Sequence, residues 1–137
     1  MIGPKDSEPK LLFPGLAGFY AAVSDLWYPM IRIAIGAIMF MHGLPKVTTM
    51  GAAGVAGFFG KVGLPMSGLL AYAAIFLETI GAICIIIGLF TRFFAAASAI
   101  LLLVAVFVAH WAKGFYAGQG GYEFALTLGA VAFLIAI

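Results

Sequence analysis

Hydrophobic residues fall into four long runs, which short polar or glycine-rich segments separate. The runs cover about 26–44, 66–90, 93–112 and 122–137. Their apolar residues are continuous, as in ASAILLLVAVFVA, and do not alternate as in a membrane β-strand. The first three runs reach the roughly 20 residues that a helix needs to cross a bilayer core. The pattern therefore predicts an all-α membrane protein, a bundle of four transmembrane helices.

The fourth run has only 16 residues and meets the end of the chain. We expect this helix to be truncated, with the natural protein continuing beyond it. Residues 25–137 form the predicted membrane domain. Residues 1–24 are predicted to be a polar tail and an interfacial lead-in. The alternative for the lead-in is the packed start of the first helix.

The segments between the runs indicate how the helices connect. HGLPKVTTMGAAGVAGFFGKVGLP joins the first and second helices, and its Gly and Pro residues end one helix and open the next. Phe58 and Phe59 beside Lys61 predict a short interfacial segment there. LFTRFF predicts a tight turn after the second helix, and KGFYAGQGGYE predicts the turn before the fourth.

Composition supports the membrane class. The chain is 65% hydrophobic and 9% charged, whereas a soluble domain is about 45–50% apolar and about 25% charged. The net charge of +2 and the lack of a basic run argue against nucleic acid as a partner. Cys84 is the only cysteine, so neither an internal disulfide nor a CxxC pair can form.

One carboxylate, Glu78, stands inside the apolar stretch IFLETIGAICIIIGLF. Counted from Pro65, it lies roughly 18–20 Å along the second helix. The same distance counted back from Pro45 reaches Arg32 on the first helix. Because a lone charge at this depth costs at least about 2.5–3.5 kcal/mol, we predict an intramembrane ion pair between Arg32 and Glu78. The alternative is that Arg32 extends to the surface and Glu78 is protonated.

Five further ionisable residues are predicted to collect at one membrane face: His42, Lys46, His110, Lys113 and Glu123. They could form a polar cluster that binds a quinone carbonyl, with Glu123 moving protons. The alternative is that the two histidines and two lysines simply cap helix C-termini, which favour positive charge. A bis-histidine haem is a weaker alternative. Zinc is conceivable by ligand count but lacks a spacing signature, so no metal site is predicted.

Three stretches together resemble the DoxX family of small bacterial four-helix membrane proteins. They are RIAIGAIMFMHGLPK (32–46), GLP (63–65) and ETIGAICIIIGLFTR (78–92). The residues that match the family pattern are Arg32, Gly36, His42, Gly43, Lys46, Glu78, Gly81, Gly88, Thr91 and Arg92. Lys113, Gly114 and Glu123 match its looser later section, so the resemblance covers about 25–137. The family usually continues past the fourth helix, where this chain stops.

The resemblance implies a bacterial cytoplasmic membrane protein associated with redox complexes such as thiosulfate:quinone oxidoreductase or quinol oxidase. We expect an accessory or structural subunit of a larger respiratory or photosynthetic complex, with membrane protein partners and surrounding lipid. The alternative is a quinone-interacting subunit of an oxidoreductase, and a small transporter is a weaker hypothesis. We expect no cofactor of its own beyond a quinone, and no catalysis by the chain alone. The distribution of Lys and Arg slightly favours cytoplasmic termini.

Overall fold

The computed structural model describes residues 10–137, and every regular element in this part of the chain is helical. The prediction of an all-α membrane bundle is confirmed. Three helical stretches are long and apolar enough to cross a membrane, and a fourth, shorter apolar helix follows them. The stretches are Pro14–Lys61, Ser67–Ile87 and Thr91–Lys113, and the shorter helix is Glu123–Ala136.

The first stretch contains three α-helices and a marked break. Two short 3-10 turns flank α1 (Ala17–Val23), and α2 (Trp27–Pro45) follows them. A π-helical turn, Lys46–Met50, then leads into α3 (Gly51–Lys61). Gly51 has φ 66° and ψ 167°, a combination open essentially to glycine alone. The helical path is therefore interrupted between α2 and α3.

The second and third stretches each include a π-helical turn, and the fourth is a single short helix. The second comprises α4 (Ser67–Phe76), a π-helical turn (Leu77–Gly81) and α5 (Ala82–Ile87). The third comprises α6 (Thr91–Ala105), a π-helical turn (Val106–His110) and a short 3-10 turn (Trp111–Lys113). The fourth is α7 (Glu123–Ala136).

Helix α3 packs against α4, α2 packs against α5, and α6 packs against α7. The segment predicted to lie at the interface is thus an 11-residue helix beside the first half of the second span. Small residues allow the close approach of α2 to the second span. A side chain at Gly36 would meet the Ala82 carbonyl oxygen at 2.9 Å. A side chain at Gly43 would meet the Glu78 carbonyl oxygen at 2.6 Å.

A core of apolar side chains joins α2, α5, α6 and α7. Large apolar side chains also cover the outside of the bundle, where Phe93, Ile100 and Leu134 are well exposed. In a chain of this composition, such a surface faces lipid. The buried core residues are Ile35, Met39, Ala82, Cys84, Ile85, Phe94, Ala95, Leu128, Ala132 and Ile135.

Candidate functional site

An ion pair links the first span to the middle of the second. The Lys46 ammonium donates to Glu78 Oε2. Glu78 is 8% exposed and lies eleven residues after Ser67, about 16 Å along a span of 21 residues. Because Gly43 has no side chain, the last turn of α2 can lie directly against the Glu78 backbone. Lys46, one turn further on, is thereby brought within reach of the carboxylate.

The predicted ion pair between Arg32 and Glu78 is wrong. Lys46–Glu78 is the salt bridge found among residues 10–137, and Arg32 instead lies beside Gly88. Gly88 follows Glu78 by ten residues, a separation of about 15 Å along a helix. The depth count failed because it placed Pro45 and Pro65 at the same level. In the structure α3 packs beside α4, the first half of the second span. The end of α2 therefore lies level with the middle of the second span, beside Glu78.

Three π-helical turns each carry one ionisable residue of this region. Lys46 begins the first turn, Glu78 lies in the second and His110 ends the third. A π-turn adds one residue to a helical repeat, and it occurs often at functional sites because it redirects side chains. Each of the three long spans therefore departs from regular α-helix at the position of its ionisable residue.

A cavity of about 730 Å³ lies between these spans. Its walls are mainly apolar, with Phe58 and Phe59 from α3, Leu77 from the second span and Phe124 from α7 among them. Glu78 lies near the middle of its span, whereas Lys113 ends the third, so the cavity extends from one rim towards the bilayer centre. The ionisable side chains that line it are His42, Lys46, Glu78, His110 and Lys113.

Both histidines have one ring nitrogen held by a backbone carbonyl. His42 Nδ1 lies 2.9 Å from the Ile38 oxygen, and His110 Nδ1 lies 2.7 Å from the Gly120 oxygen. Since a carbonyl only accepts, Nδ1 carries the proton in each neutral ring, and Nε2 is left as an acceptor. The His42 ring also stacks on Phe124, with the ring centroids 5.5 Å apart.

Four of the five predicted cluster residues thus line one cavity, and Glu123 does not. Its Oε1 accepts a hydrogen bond of 2.7 Å from the Ala117 backbone N–H, which fixes the turn before α7. Within residues 10–137, no three His, Cys, Asp or Glu side chains group as metal ligands would. The zinc alternative from His42, His110 and Glu123 therefore lacks support.

Sequence reasoning assigned Glu78 to the wrong partner and did not place it in the cluster. The available signal was the spacing between Gly43 and Lys46. Gly43 permits contact with the Glu78 backbone, and Lys46, one turn later, lies on the same side of the helix and reaches the Glu78 carboxylate. Phe124 and the α3 phenylalanines were also not identified as cavity walls.

The comparisons with known proteins agree with this architecture. The DoxX family model matches residues 28–111, which include all three π-helical turns. A Bacillus subtilis (strain 168) protein named "Putative oxidoreductase CatD" is 31% identical over 102 residues, which span 74% of this chain and 72% of that protein. No solved structure matches the chain significantly. On the family match, the relative and the helical membrane architecture, the chain belongs to the DoxX family.

Proposed function

We propose that this protein is a quinone-binding membrane subunit of an oxidoreductase complex. The observation that carries the proposal is the Lys46–Glu78 ion pair in the wall of a mainly apolar cavity. A quinone head group is a planar apolar ring with two carbonyl oxygens, and such ligands fit apolar pockets with a few polar groups. Protein interiors are otherwise closely packed. A cavity of this size therefore favours ligand binding over a purely structural accessory role.

The cavity offers partners for both redox forms of a quinone. The ammonium groups of Lys46 and Lys113 can donate to the carbonyl oxygens of the oxidised form. The free Nε2 atoms of His42 and His110 can accept from the hydroxyl groups of the reduced form. Phe124 supplies an aromatic face for ring stacking. The site can therefore hold a quinone before and after it takes up two electrons and two protons.

We assign the electron donor to a partner subunit. The relative's name supports the oxidoreductase class. The sequence offers a single cysteine and neither a CxxCH motif nor Rossmann glycines. The proposal accordingly includes a bacterial cytoplasmic membrane location, cytoplasmic termini and association with a larger redox complex. The chain would bind and orient the quinone, and its partner would carry out the electron transfer.

Ligand-dependent stability tests the quinone proposal. The purified chain is titrated with short-chain ubiquinone and menaquinone analogues while its thermal unfolding midpoint is recorded. We expect at least one quinone to raise the midpoint, because a ligand that binds only the folded state stabilises it. The rise should disappear in the double variant Lys46→Met with Glu78→Leu. It should persist in Lys61→Gln, an exposed lysine outside the cavity wall.

Two outcomes would contradict the proposal. If neither the ubiquinone nor the menaquinone analogue changed the thermal unfolding midpoint, the chain would not bind a quinone. A full rise in the double variant would place the quinone elsewhere. Gentle purification with partner identification complements the titration. If the chain co-migrated with a large complex and quinone had no effect on its stability, an accessory structural role would be favoured.

A further inference from the structure

Arg32 lies at the opposite end of the bundle from the cavity cluster, in a niche that Gly88 creates. A Cβ atom at Gly88 would lie 2.9 Å from Arg32 Nη1, 3.3 Å from Cζ and 3.4 Å from Nη2. The flat face of the guanidinium therefore packs on the glycine. Arg32 Cζ also lies 5.7 Å from the centre of the Tyr28 ring. The guanidinium is held by packing and by the aromatic ring.

The charge of Arg32 is not matched inside the bundle. Among residues 10–137, no carboxylate lies within 4.0 Å of the guanidinium, and its buried Nε has no hydrogen-bond partner. The C-terminal end of α5 nearby favours a cation, but a helix end carries only about half an elementary charge. A cation that is partly withdrawn from water and lacks a counter-charge is costly. An external anion would remove that cost.

The position of the niche along the second span indicates which anions could reach it. Gly88 directly follows α5, so the niche lies where the second span ends. Trp27, five residues before Arg32, is 65% exposed, and its ring contacts that of Tyr28. Exposed Trp and Tyr side chains mark the headgroup level of a bilayer. Phosphate groups are the abundant anions at that level, and a guanidinium binds phosphate through two parallel hydrogen bonds.

We propose that Arg32 binds the phosphate group of an anionic phospholipid through its outer Nη1 and Nη2 edge. The niche is a specific lipid site independent of the quinone cavity. Gly88 packs against one face of the guanidinium, and the Tyr28 ring fixes the orientation of that group. The preferred lipid carries a net negative charge, such as phosphatidylglycerol, because a zwitterionic headgroup offsets its own phosphate charge.

The first test compares lipid mixtures. The full chain is reconstituted in phosphatidylcholine alone and in phosphatidylcholine mixed with phosphatidylglycerol, and thermal unfolding midpoints are recorded. The wild type should unfold at a higher temperature in the mixture, and Arg32→Gln should lose that difference. Lys10→Gln, which removes an exposed cation from the N-terminal part of the chain, should keep it. Equal wild-type midpoints in the two membranes would overturn the proposal, as would a full difference in Arg32→Gln.

A second measurement holds even if Arg32→Gln fails to fold. The chain has two tryptophans, so Trp111→Phe leaves Trp27 as the only reporter at the niche. Trp111 lies outside the cavity wall. Brominated phosphatidylglycerol should quench Trp27 with a relative binding constant about fivefold above that of brominated phosphatidylcholine, the size expected for one basic group. Arg32→Lys should retain part of this preference, since it keeps the positive charge but cannot donate two parallel hydrogen bonds to the phosphate. A relative constant of one would contradict the lipid site.

A third arm separates a lipid headgroup from a soluble phosphate. Sodium phosphate is added to the phosphatidylcholine membranes and compared with sodium chloride at equal ionic strength. A lipid site predicts no difference between the salts. A midpoint rise specific to phosphate, lost in Arg32→Gln, would reassign the niche to a soluble anion and overturn the lipid proposal.

Discussion

The Lys46 ammonium and the Glu78 carboxylate form an ion pair across the first two spans, although 32 positions separate the residues in the chain. Their environments differ, because the Glu78 side chain is 10% exposed and the Lys46 side chain 24%. Desolvation of the carboxylate is therefore the larger cost, and the lysine offsets it. This asymmetry makes the consequences of each substitution distinct.

Lys46→Met should be more damaging than Glu78→Gln. The first leaves a buried carboxylate without its partner and should cost about 3 kcal/mol, the lower end for a broken buried pair because Lys46 is partly exposed. The second leaves only the more exposed ammonium. The double variant Lys46→Met with Glu78→Leu should be milder than Lys46→Met alone. Reversible unfolding in mixed detergent measures all three, and a double variant at least as unstable as Lys46→Met alone would contradict a stabilising pair.

Arg32 and Glu78 should be energetically independent. Arg32→Met and Glu78→Leu should destabilise the chain additively, within about 0.3–0.5 kcal/mol, because the two sites share no partner. The double-mutant cycle that combines Lys46→Met with Glu78→Leu should instead show a clear coupling free energy. The same unfolding assay serves both cycles. Strong coupling of Glu78 to Arg32 and none to Lys46 would restore the pairing expected from depth counting and contradict the structure.

The sequence predicted the four apolar helices because a helix that faces lipid carries a long, mostly apolar run, and such runs are easily recognised. It also predicted that His42, Lys46, His110 and Lys113 would collect in one region. Their positions near the ends of the first and third hydrophobic runs were sufficient for that. Glu123 lies in the same part of the chain, but its carboxylate bonds to the backbone of its own turn.

The register of the first two spans could not be predicted. Pro45 ends α2 where counting expected it, yet the chain continues as α3 beside α4. Nothing in KVTTMG specifies a π-helical turn followed by a glycine with positive φ at Gly51. That local geometry shifts Lys46, and not Arg32, to the level of Glu78. The cavity was also unforeseeable, because its walls come from residues distant in sequence.

Gly43→Ala should force α2 away from the second span. Its Cβ would lie 2.6 Å from the Glu78 carbonyl oxygen and 2.7 Å from the carbonyl carbon, which are backbone atoms that cannot rotate away. We expect a loss of about 1–3 kcal/mol, the usual cost of overpacking. Gly57→Ala is the control, because no atom lies within 4 Å of its added Cβ. It should be neutral or stabilising in the same unfolding assay, and equal effects of the two changes would contradict the close approach.

Glu123→Gln should leave quinone-induced stabilisation unchanged, since Glu123 lies outside the cavity wall. Its amide oxygen can still accept the Ala117 N–H. Glu123→Ala removes that acceptor and should cost about 0.5–1.5 kcal/mol. Thermal midpoints with and without quinone separate the two effects. If Glu123→Gln abolished the quinone response while the fold stayed intact, the carboxylate would have a direct role in binding or proton transfer, as the sequence first suggested.

Gly51→Ala should weaken both the fold and the cavity. Gly51 has φ 66° and ψ 167°, where an alanine side chain is strained by about 1–3 kcal/mol. Relief of that strain would move α3, which supplies Val55 and Phe58 to the cavity wall. We therefore expect a smaller quinone-induced midpoint shift as well as lower basal stability. Gly54→Ala, one turn along α3 with only an ordinary contact to Met50, should affect neither quantity strongly. A full quinone response in folded Gly51→Ala would mean that the position of α3 does not govern the binding site.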